Sequence, residues 1–407
     1  MIKLTGFIGI VVLLGIAYAL SNNRKAIKPR IVIWGIGLQV FLALIILKIP
    51  LVKSKFFFFD KLFKKLISFS DEGSDFLFES FVPGVGYHEA MINFAFRALP
   101  VIIFFSSLIA VTYHFGIIQF IIKWVARVME KTLKTSGAET LSVSANIFVG
   151  QTEAPILIRP FINNMTNSEL TAVMTGGFAT VAGSVLALYV LWLNAIPGIA
   201  GHMLAASIMS APAALVMAKI IYPETEQSDT ISDLHISIQK QDANAMDALG
   251  RGATDGLKLA ANVGAMLVAF VSIITMINYT LGYFFDTTMQ EIMGRCFQPL
   301  AWTMGIPWDE AKIMGTLMGE KIVLTELIAY SNLGEIINNG EISERTAIIA
   351  SYALCGFANF GSIGIQLGGI GGMAPERRKD LSKLALKAMI GGALASWLTA
   401  TIAGILI

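Results

Sequence analysis

Long apolar segments, separated by short polar and basic stretches, dominate the pattern along the chain. Eight runs are apolar and long enough to be membrane-crossing helices: 3–20, 31–51, 94–117, 169–195, 200–222, 257–284, 345–371 and 386–407. A helix needs roughly 20 apolar residues to cross the hydrocarbon core of a bilayer. The first run is followed by SNNRKAIKPR and lacks a small-residue cleavage site, so we interpret it as a retained helix, not a signal peptide. The pattern predicts an all-α protein with about eight transmembrane helices.

Three further apolar segments do not fit as simple crossings. Residues 139–168 and 300–338 are interrupted by glycine, proline and polar residues. Irregular backbone at membrane depth is tolerated only where it is buried in protein or lines a watery cavity. We therefore predict two re-entrant helical hairpins. The third segment, KSKFFFFDKLFKKLISF (53–69), interleaves lysine with phenylalanine, which is typical of a helix lying in the membrane interface.

Composition supports a membrane protein and excludes several other classes. Hydrophobic residues make up 55% of the chain and charged residues 14%, with a mean hydropathy of +0.69. A soluble protein carries about 25% charged residues. The net charge of +2 gives no reason to expect a nucleic-acid partner. Cys296 and Cys355 lie far apart in apolar settings and indicate neither a disulfide framework nor a metal site.

Basic clusters beside three of the apolar runs predict the orientation. By the positive-inside rule these clusters face the cytoplasm, which places both termini outside. The polar loop 223–256 then falls inside. The basic segment 53–69 would lie outside, but a helix that does not cross is weak evidence about topology. The clusters are Arg24, Lys25, Lys28 and Arg30; Lys123, Arg127, Lys131 and Lys134; and Arg377, Arg378, Lys379, Lys383 and Lys387.

A pair of motifs recurs in the two halves of the chain. GQTEAPILIRPF (150–161) is followed by GGFATVAGSV (176–185), and GEKIVLTELIAY (319–330) is followed by CGFANFGSIG (355–364). With the orientation above, the first hairpin enters from inside and the second from outside. Such inverted repeats are typical of secondary transporters with a substrate site near the membrane midplane. Since a glutamate at that depth is costly and rarely idle, Glu153 and Glu326 are candidate functional residues.

The candidate polar residues around these glutamates indicate the kind of ligand. They are Gln151, Thr152, Glu153, Glu326, Asn359 and Ser362, with Phe357 close by in sequence. The set contains neither arginine nor histidine, so it suits a neutral ligand with hydroxyl groups, an amide-like edge and a flat ring. Uphill movement of such a ligand needs a coupled ion. Asn146, Thr180 and unwound backbone carbonyls are hard oxygen ligands suited to sodium.

These blocks resemble the concentrative nucleoside transporter family, whose members are cation-coupled nucleoside symporters. ANIFVGQTEAPILIRPFINNMTNSEL (145–170) is similar to the first-hairpin signature of the family, and GEKIVLTELIAY and GFANFGSIGI follow in the family's order. The resemblance implies a transporter, not an enzyme, which imports nucleosides by alternating access using a sodium gradient. It also implies a homotrimer in the cell (inner) membrane. In each subunit a mobile domain with both hairpins moves against a scaffold of mainly the first three and the sixth spans.

The resemblance also implies roles for individual residues. Gly150, Gln151, Thr152 and Glu153 match the tip that contacts the nucleobase, and Val185 matches a position near the base. Glu326, Asn359 and Ser362 match ribose-binding residues, while Phe357 and Leu259 match apolar contacts around the ligand. The sodium ligands fall on Asn146, Val149, Thr180 and Val181, the valines through their carbonyls. No other cofactor is implied.

One block departs from the family pattern, which usually has Asn and Phe on either side of the glutamate. Here Thr325 and Leu327 stand at these positions. The departure leaves the choice between purine and pyrimidine open. Proton coupling through a glutamate, and a related neutral solute such as a nucleobase, remain alternatives. A channel with re-entrant segments is a further alternative.

Five regions follow from this reading. They are 1–117, N-terminal scaffold helices and an interfacial helix; 118–222, the first repeat core, comprising a basic interfacial helix, hairpin one, a broken helix and the following span; 223–256, a cytoplasmic polar loop and interfacial helix; 257–299, the scaffold helix of the second repeat and an outer connection; and 300–407, the second repeat core, comprising hairpin two, a broken helix and the last span.

Overall fold

The computed structural model describes residues 2–78, 95–96, 99–228 and 242–407. Across these residues the regular elements are helices and there is no strand, which confirms the all-α class. The N-terminal helices are α1 (Ile2–Ala19), α2 (Pro29–Lys48), α3 (Pro50–Phe78), α4 (Leu99–His114) and α5 (Ile117–Leu133). The predicted interfacial segment 53–69 is part of the longer α3. Helices α4 and α5 meet at an angle of 74°.

The first repeat begins with a short helix and an irregular return. It comprises α6 (Gly137–Ala145), a turn, the 3-10 helix Ala154–Asn164, α7 (Asn167–Ala179), α8 (Gly183–Trp192) and α9 (Ile199–Ile221). Pro155 and Pro160 lie within the 3-10 segment. Because proline lacks an N–H and clashes with the preceding turn, a regular α-helix is disfavoured there. Residues 180–182 separate α7 from α8, so the predicted span 169–195 is a broken helix.

In the second repeat two long helices come first, and then a hairpin, a broken helix and a final long helix follow in the order seen in the first repeat. It comprises α10 (Ala245–Phe285), α11 (Met289–Thr303), α12 (Trp308–Val323), α13 (Glu326–Asn338), α14 (Glu344–Leu354), α15 (Phe360–Met373), the 3-10 helix Pro375–Arg377 and α16 (Arg378–Leu406). Hairpin two is therefore α12 and α13, which turn at Leu324 and Thr325. The predicted span 345–371 is broken between α14 and α15.

Two boundaries differ from the sequence-based expectation. Residues 245–256, predicted to belong to a polar loop and interfacial helix, form the first turns of the continuous helix α10. The boundary at 299–300 falls inside α11, so hairpin two begins at Trp308 and not near residue 300. Several residues at the start of α10 are polar, so the apolar pattern did not reveal that the helix begins at Ala245. Residues 229–241 of the predicted polar loop lie outside the described residues.

Among the described residues, five helices are long and apolar enough to cross a membrane, or six if the bent pair α4–α5 forms one span. The predicted number was eight. The apolar part of α1, Lys3–Ala19, is shorter, and the break in 345–371 leaves two short helices. Eight crossings therefore stay a prediction.

The two broken helices contact one another at their breaks. Gly356, just after α14, has a φ of +103°, a conformation that side chains other than hydrogen strongly disfavour. A methyl group there would lie 2.5 Å from the Phe178 carbonyl oxygen and 2.6 Å from the Ala179 carbonyl carbon, near the end of α7. The absence of a side chain at Gly356 thus permits the close approach of the two repeats. This contact places the unwound segments of both repeats side by side.

Candidate functional site

Each hairpin places a glutamate at the start of its returning helix. Glu153 precedes the 3-10 helix Ala154–Asn164, and Glu326 is the first residue of α13. A helix N-terminus stabilises negative charge because its first N–H groups lack intrahelical acceptors. At the first tip the Gly150 N–H donates to Glu153 Oε2 at 2.7 Å. The Glu153 side chain is otherwise exposed, whereas Glu326 is only 3% exposed.

The Glu326 carboxylate is held by side chains from two other helices. The Tyr189 hydroxyl on α8 donates to Oε1 at 3.0 Å, and Asn359 Nδ2 donates to Oε2 at 2.8 Å. A buried charge is costly unless it is hydrogen-bonded, and here each oxygen has a donor. Each carboxylate oxygen can accept more than one hydrogen bond, so capacity remains for a ligand hydroxyl.

Asn359 has a second role as the N-cap of α15. Its Oδ1 accepts a hydrogen bond from the Ser362 N–H at 2.7 Å. The side-chain amide is thereby oriented, with its oxygen toward the helix and its nitrogen toward Glu326. Asn359 and Ser362 are both buried. The structure therefore brings together the three residues predicted to bind ribose.

The first hairpin tip is linked to the same helix. Gln366, one turn beyond Ser362 on α15, donates through Nε2 to Gln151 Oε1 at 3.0 Å and to the Met174 carbonyl at 3.1 Å. A methyl group at Gly369 would lie 2.7 Å from Thr152 Cγ2, so α15 also runs directly beside Thr152. Helix α15 thus connects the predicted base-binding tip to the predicted ribose-binding residues.

The predicted apolar contacts lie on three different elements. Val185 is buried on α8, one turn before Tyr189, and Phe357 is half-buried in the break before α15. Leu259 is half-buried on α10. Val185 and Phe357 therefore lie close in sequence to the groups that hold Glu326, and Leu259 comes from the long helix α10. Contacts of all three with a ligand stay a prediction.

The predicted sodium ligands lie around the first tip and the first break. Asn146 is buried, and its Nδ2 donates to the Ser142 carbonyl at 3.1 Å. Its Oδ1 has no hydrogen-bond partner among the described residues. The Gly183 N–H donates to the Phe148 carbonyl at 3.0 Å, which joins the tip to the break containing Thr180 and Val181. An oxygen that is buried and available beside unwound backbone is a ligand of the kind that sodium requires.

Comparisons with known proteins cover the whole of this architecture. The family models described as "Na+ dependent nucleoside transporter" match at the N-terminus (residues 8–81) and the C-terminus (202–404), with "Nucleoside recognition" between them (95–196). An uncharacterised transporter of Bacillus subtilis is 45% identical over 411 residues, or 99% of each chain. The chain belongs to the family of sodium-dependent nucleoside transporters. It is a membrane transporter and not an enzyme.

Characterised relatives and solved structures of the family agree. Sodium/nucleoside cotransporter 1 of Mus musculus is 40% identical over 428 residues, which cover 99% of this chain and 64% of the mouse protein. The structure of CNTnw in an inward-facing substrate-bound state is 43% identical, with a TM-score of 0.93 over 100% of this chain and 99% of that chain. A CNTnw variant in an outward-facing state gives a TM-score of 0.91 at 42% identity, over 100% of this chain and 98% of the variant.

Two site residues were missed by sequence reasoning, although a signal for each was present. Tyr189 lies four residues after Val185, and Gln366 lies four residues after Ser362. Residues four apart share one face of a helix, so each follows a predicted site residue along the same face. A third missed residue is Lys321, which lies within the GEKIVLTELIAY block.

The structure also accounts for one departure from the family pattern. Thr325 is the N-cap of α13, where its side chain accepts a hydrogen bond from the Ile328 N–H at 3.4 Å. Asparagine and threonine are both favourable N-cap residues. The exchange therefore keeps the start of α13, and with it the position of Glu326.

The base of hairpin one is fixed by a buried ionic cluster. The Nζ of Lys219 on α9 lies 2.7 Å from Glu139 Oε2 and donates a hydrogen bond to Ser168 Oγ at 2.9 Å. Glu139 closes a capping box with Ser136 at the start of α6, and Glu169 does the same with Thr166 at the start of α7. Both capping glutamates are buried. These contacts tie the first hairpin to α7 and α9 at the end opposite its tip.

Proposed function

We propose that the protein imports nucleosides across the cell membrane by coupling their entry to sodium. The observation that carries this proposal is the buried Glu326 carboxylate, which receives hydrogen bonds from both repeats through Tyr189 and Asn359. A carboxylate held in this way is an acceptor for the hydroxyl groups of ribose. The family membership supports both the solute class and the ion.

The nucleoside would lie between the two hairpin tips and α15. Its ribose would be bound by Glu326, Asn359 and Ser362. Its base would face the tip formed by Gly150, Gln151, Thr152 and Glu153, with apolar contacts from Val185, Leu259 and Phe357. The Gln151–Gln366 hydrogen bond supports this arrangement, because it holds the base-binding tip against the helix that begins at the ribose-binding residues.

Sodium would be carried between the first tip and the first break. Its ligands would be the side chains of Asn146 and Thr180 and the carbonyls of Val149 and Val181. The available Asn146 Oδ1 supports this assignment. The ion would hold the tip in the conformation that receives the base. By linkage, sodium would then raise nucleoside affinity by the same factor by which nucleoside raises sodium affinity.

Alternating access would move the hairpins and their broken helices against the scaffold. Helix α10 has the exposure expected of a scaffold element, since 17% of its apolar stretch is buried and it packs against α4. Its exposed apolar side chains, including Val268, Tyr279 and Tyr283, suit lipid or another copy of the chain. We propose a homotrimer with both termini outside.

Calorimetry of uridine binding to the purified protein tests this proposal. At fixed pH, we expect sodium to increase uridine affinity relative to the same concentration of choline. Equal affinity in the two salts would contradict the sodium site and favour proton coupling through a glutamate. Binding of uracil in preference to uridine would contradict the ribose assignment.

A further inference from the structure

Lys321 is a fully buried lysine on α12 that is not part of the proposed ligand-binding set. Its Nζ donates to the carbonyls of Ala353 and Cys355, both at 2.9 Å, and to Ser396 Oγ on α16 at 2.7 Å. An ammonium group has three donors, and all three are used. A cation with full hydrogen bonding at this depth is held in one position.

The lysine terminates α14 at the second break. Ala353 belongs to the last turn of α14, and Cys355 is its C-cap. The last carbonyls of a helix lack intrahelical donors and carry partial negative charge, so a cation there is favourable. Four residues after Cys355, Asn359 donates to Glu326. Glu326 in turn lies five residues after Lys321, across the turn of hairpin two.

These contacts connect Lys321 to Asn359 and Glu326 in the second half of the site. Lys321 fixes the end of α14, the break leads to Asn359, and Asn359 orients Glu326. A shift of the Lys321 ammonium would therefore displace two of the proposed ribose-binding residues, Asn359 and Glu326.

In the first repeat, neutral side chains bind the carbonyls at the end of the corresponding helix. With the two GFA motifs aligned, Met174 and Gly176 correspond to Ala353 and Cys355. Their carbonyls accept from neutral donors, Gln366 Nε2 at 3.1 Å and Thr180 Oγ1 at 2.9 Å. The first repeat thus uses neutral groups at the positions where the second repeat uses the ammonium group of a lysine.

We propose that Lys321 is a positioning residue for substrate: its fixed charge holds Asn359 and Glu326 in the geometry that recognises ribose hydroxyls. This inference rests on the proposed nucleoside binding and deepens it.

The test compares uridine with 2′,3′-dideoxyuridine by calorimetry in sodium. Lys321→Met keeps most of the side-chain volume and removes the charge. We expect uridine affinity to fall by about ten-fold or more, as for loss of a hydrogen bond to a charged group. Affinity for the dideoxy compound should change much less, so discrimination between the two ligands collapses. Ser396→Ala is the matched control, because it removes one neighbour of the ammonium and keeps the charge. It should retain the discrimination.

The possible results separate the proposal from a structural role. If affinity for the two ligands falls by the same factor, discrimination between them is unchanged, and this result would overturn the positioning role of Lys321. If the Lys321→Met protein does not fold, Lys321→Gln removes the charge and keeps a hydrogen-bond donor near the carbonyls that end α14. Discrimination should then collapse in that variant, and its retention would overturn the proposal. Failure of both variants to fold would also overturn it, because the lysine would then serve the fold alone. A parent protein that binds neither ligand would instead contradict the proposed function.

Discussion

Tyr189 and Glu326 belong to different repeats, and the Tyr189 hydroxyl donates a hydrogen bond to Glu326 Oε1 at 3.0 Å. The tyrosine ring also stacks on Tyr330, with ring centroids 4.1 Å apart. The contact joins α8 of the first broken helix to the tip of the second hairpin. The carboxylate that we propose to bind ribose is therefore oriented by a residue of the opposite repeat.

Tyr189→Phe should weaken nucleoside binding without preventing folding. The change removes one of the two side-chain donors to Glu326, and a hydrogen bond to a charged group contributes about 1.5–3 kcal/mol. We expect uridine affinity, measured by calorimetry in sodium, to fall by roughly ten-fold or more. Tyr330→Phe is the control, since the Tyr330 hydroxyl donates to the Ser351 carbonyl and not to Glu326. Equal losses in the two variants would show that the effect is one of packing.

Phe357→Val should alter the preference for the base. Phe357 is half-buried in the break before α15, and a smaller side chain there would enlarge the proposed base pocket. Purine nucleosides should then gain relative to pyrimidine nucleosides in a transport panel. An unchanged purine-to-pyrimidine ratio would assign Phe357 to helix packing alone.

Asn146→Leu should abolish the dependence of nucleoside binding on sodium. The substitution removes the buried Oδ1 that lacks a partner among the described residues and leaves a side chain of similar size. Uridine affinity should become the same in sodium and in choline, at the lower of the two parent values. A variant that still responds to sodium as the parent does would place the ion elsewhere.

Gly356→Ala should destabilise the folded protein more than Gly340→Ala. Both glycines have positive φ angles, +103° and +72°, but a methyl group at Gly356 would meet the Phe178 carbonyl at 2.5 Å, while the space around Gly340 is open. Backbone strain costs about 1–3 kcal/mol, and overpacking at Gly356 adds about 1–3 kcal/mol more. Thermal unfolding in detergent should show a clearly lower midpoint for Gly356→Ala. Similar midpoints would mean that the close contact between the two helix breaks contributes little to stability.

Much of the fold was predictable because apolar runs and their interruptions are local features. The glycine, proline and polar residues within 139–168 and 300–338 predicted two hairpins, and the chain turns within each of these segments. Helix limits were less predictable: the polar residues 245–256 continue α10 as a helix, since a helix end facing water need not be apolar.

The candidate site was predictable only in part. Residues within the repeated motifs, such as Glu326 and Asn359, could be named from the sequence. The contacts of Tyr189 and Lys321 could not be predicted, because they span 137 residues to Glu326 and 32 residues to Ala353. Such contacts depend on how the helices cross, which periodicity alone does not determine.

Uphill uptake of labelled uridine into proteoliposomes, with sodium and pH gradients imposed separately, tests the central claim most directly. An inward sodium gradient should drive accumulation above the external concentration at equal pH on both sides. Because the proposed coupling brings in one positive charge with each neutral nucleoside, an inside-negative potential should add about 2.3 kcal/mol per 100 mV to the driving force. Accumulation driven by a pH gradient alone, or uridine that only equilibrates whatever the sodium gradient, would contradict sodium-coupled nucleoside import.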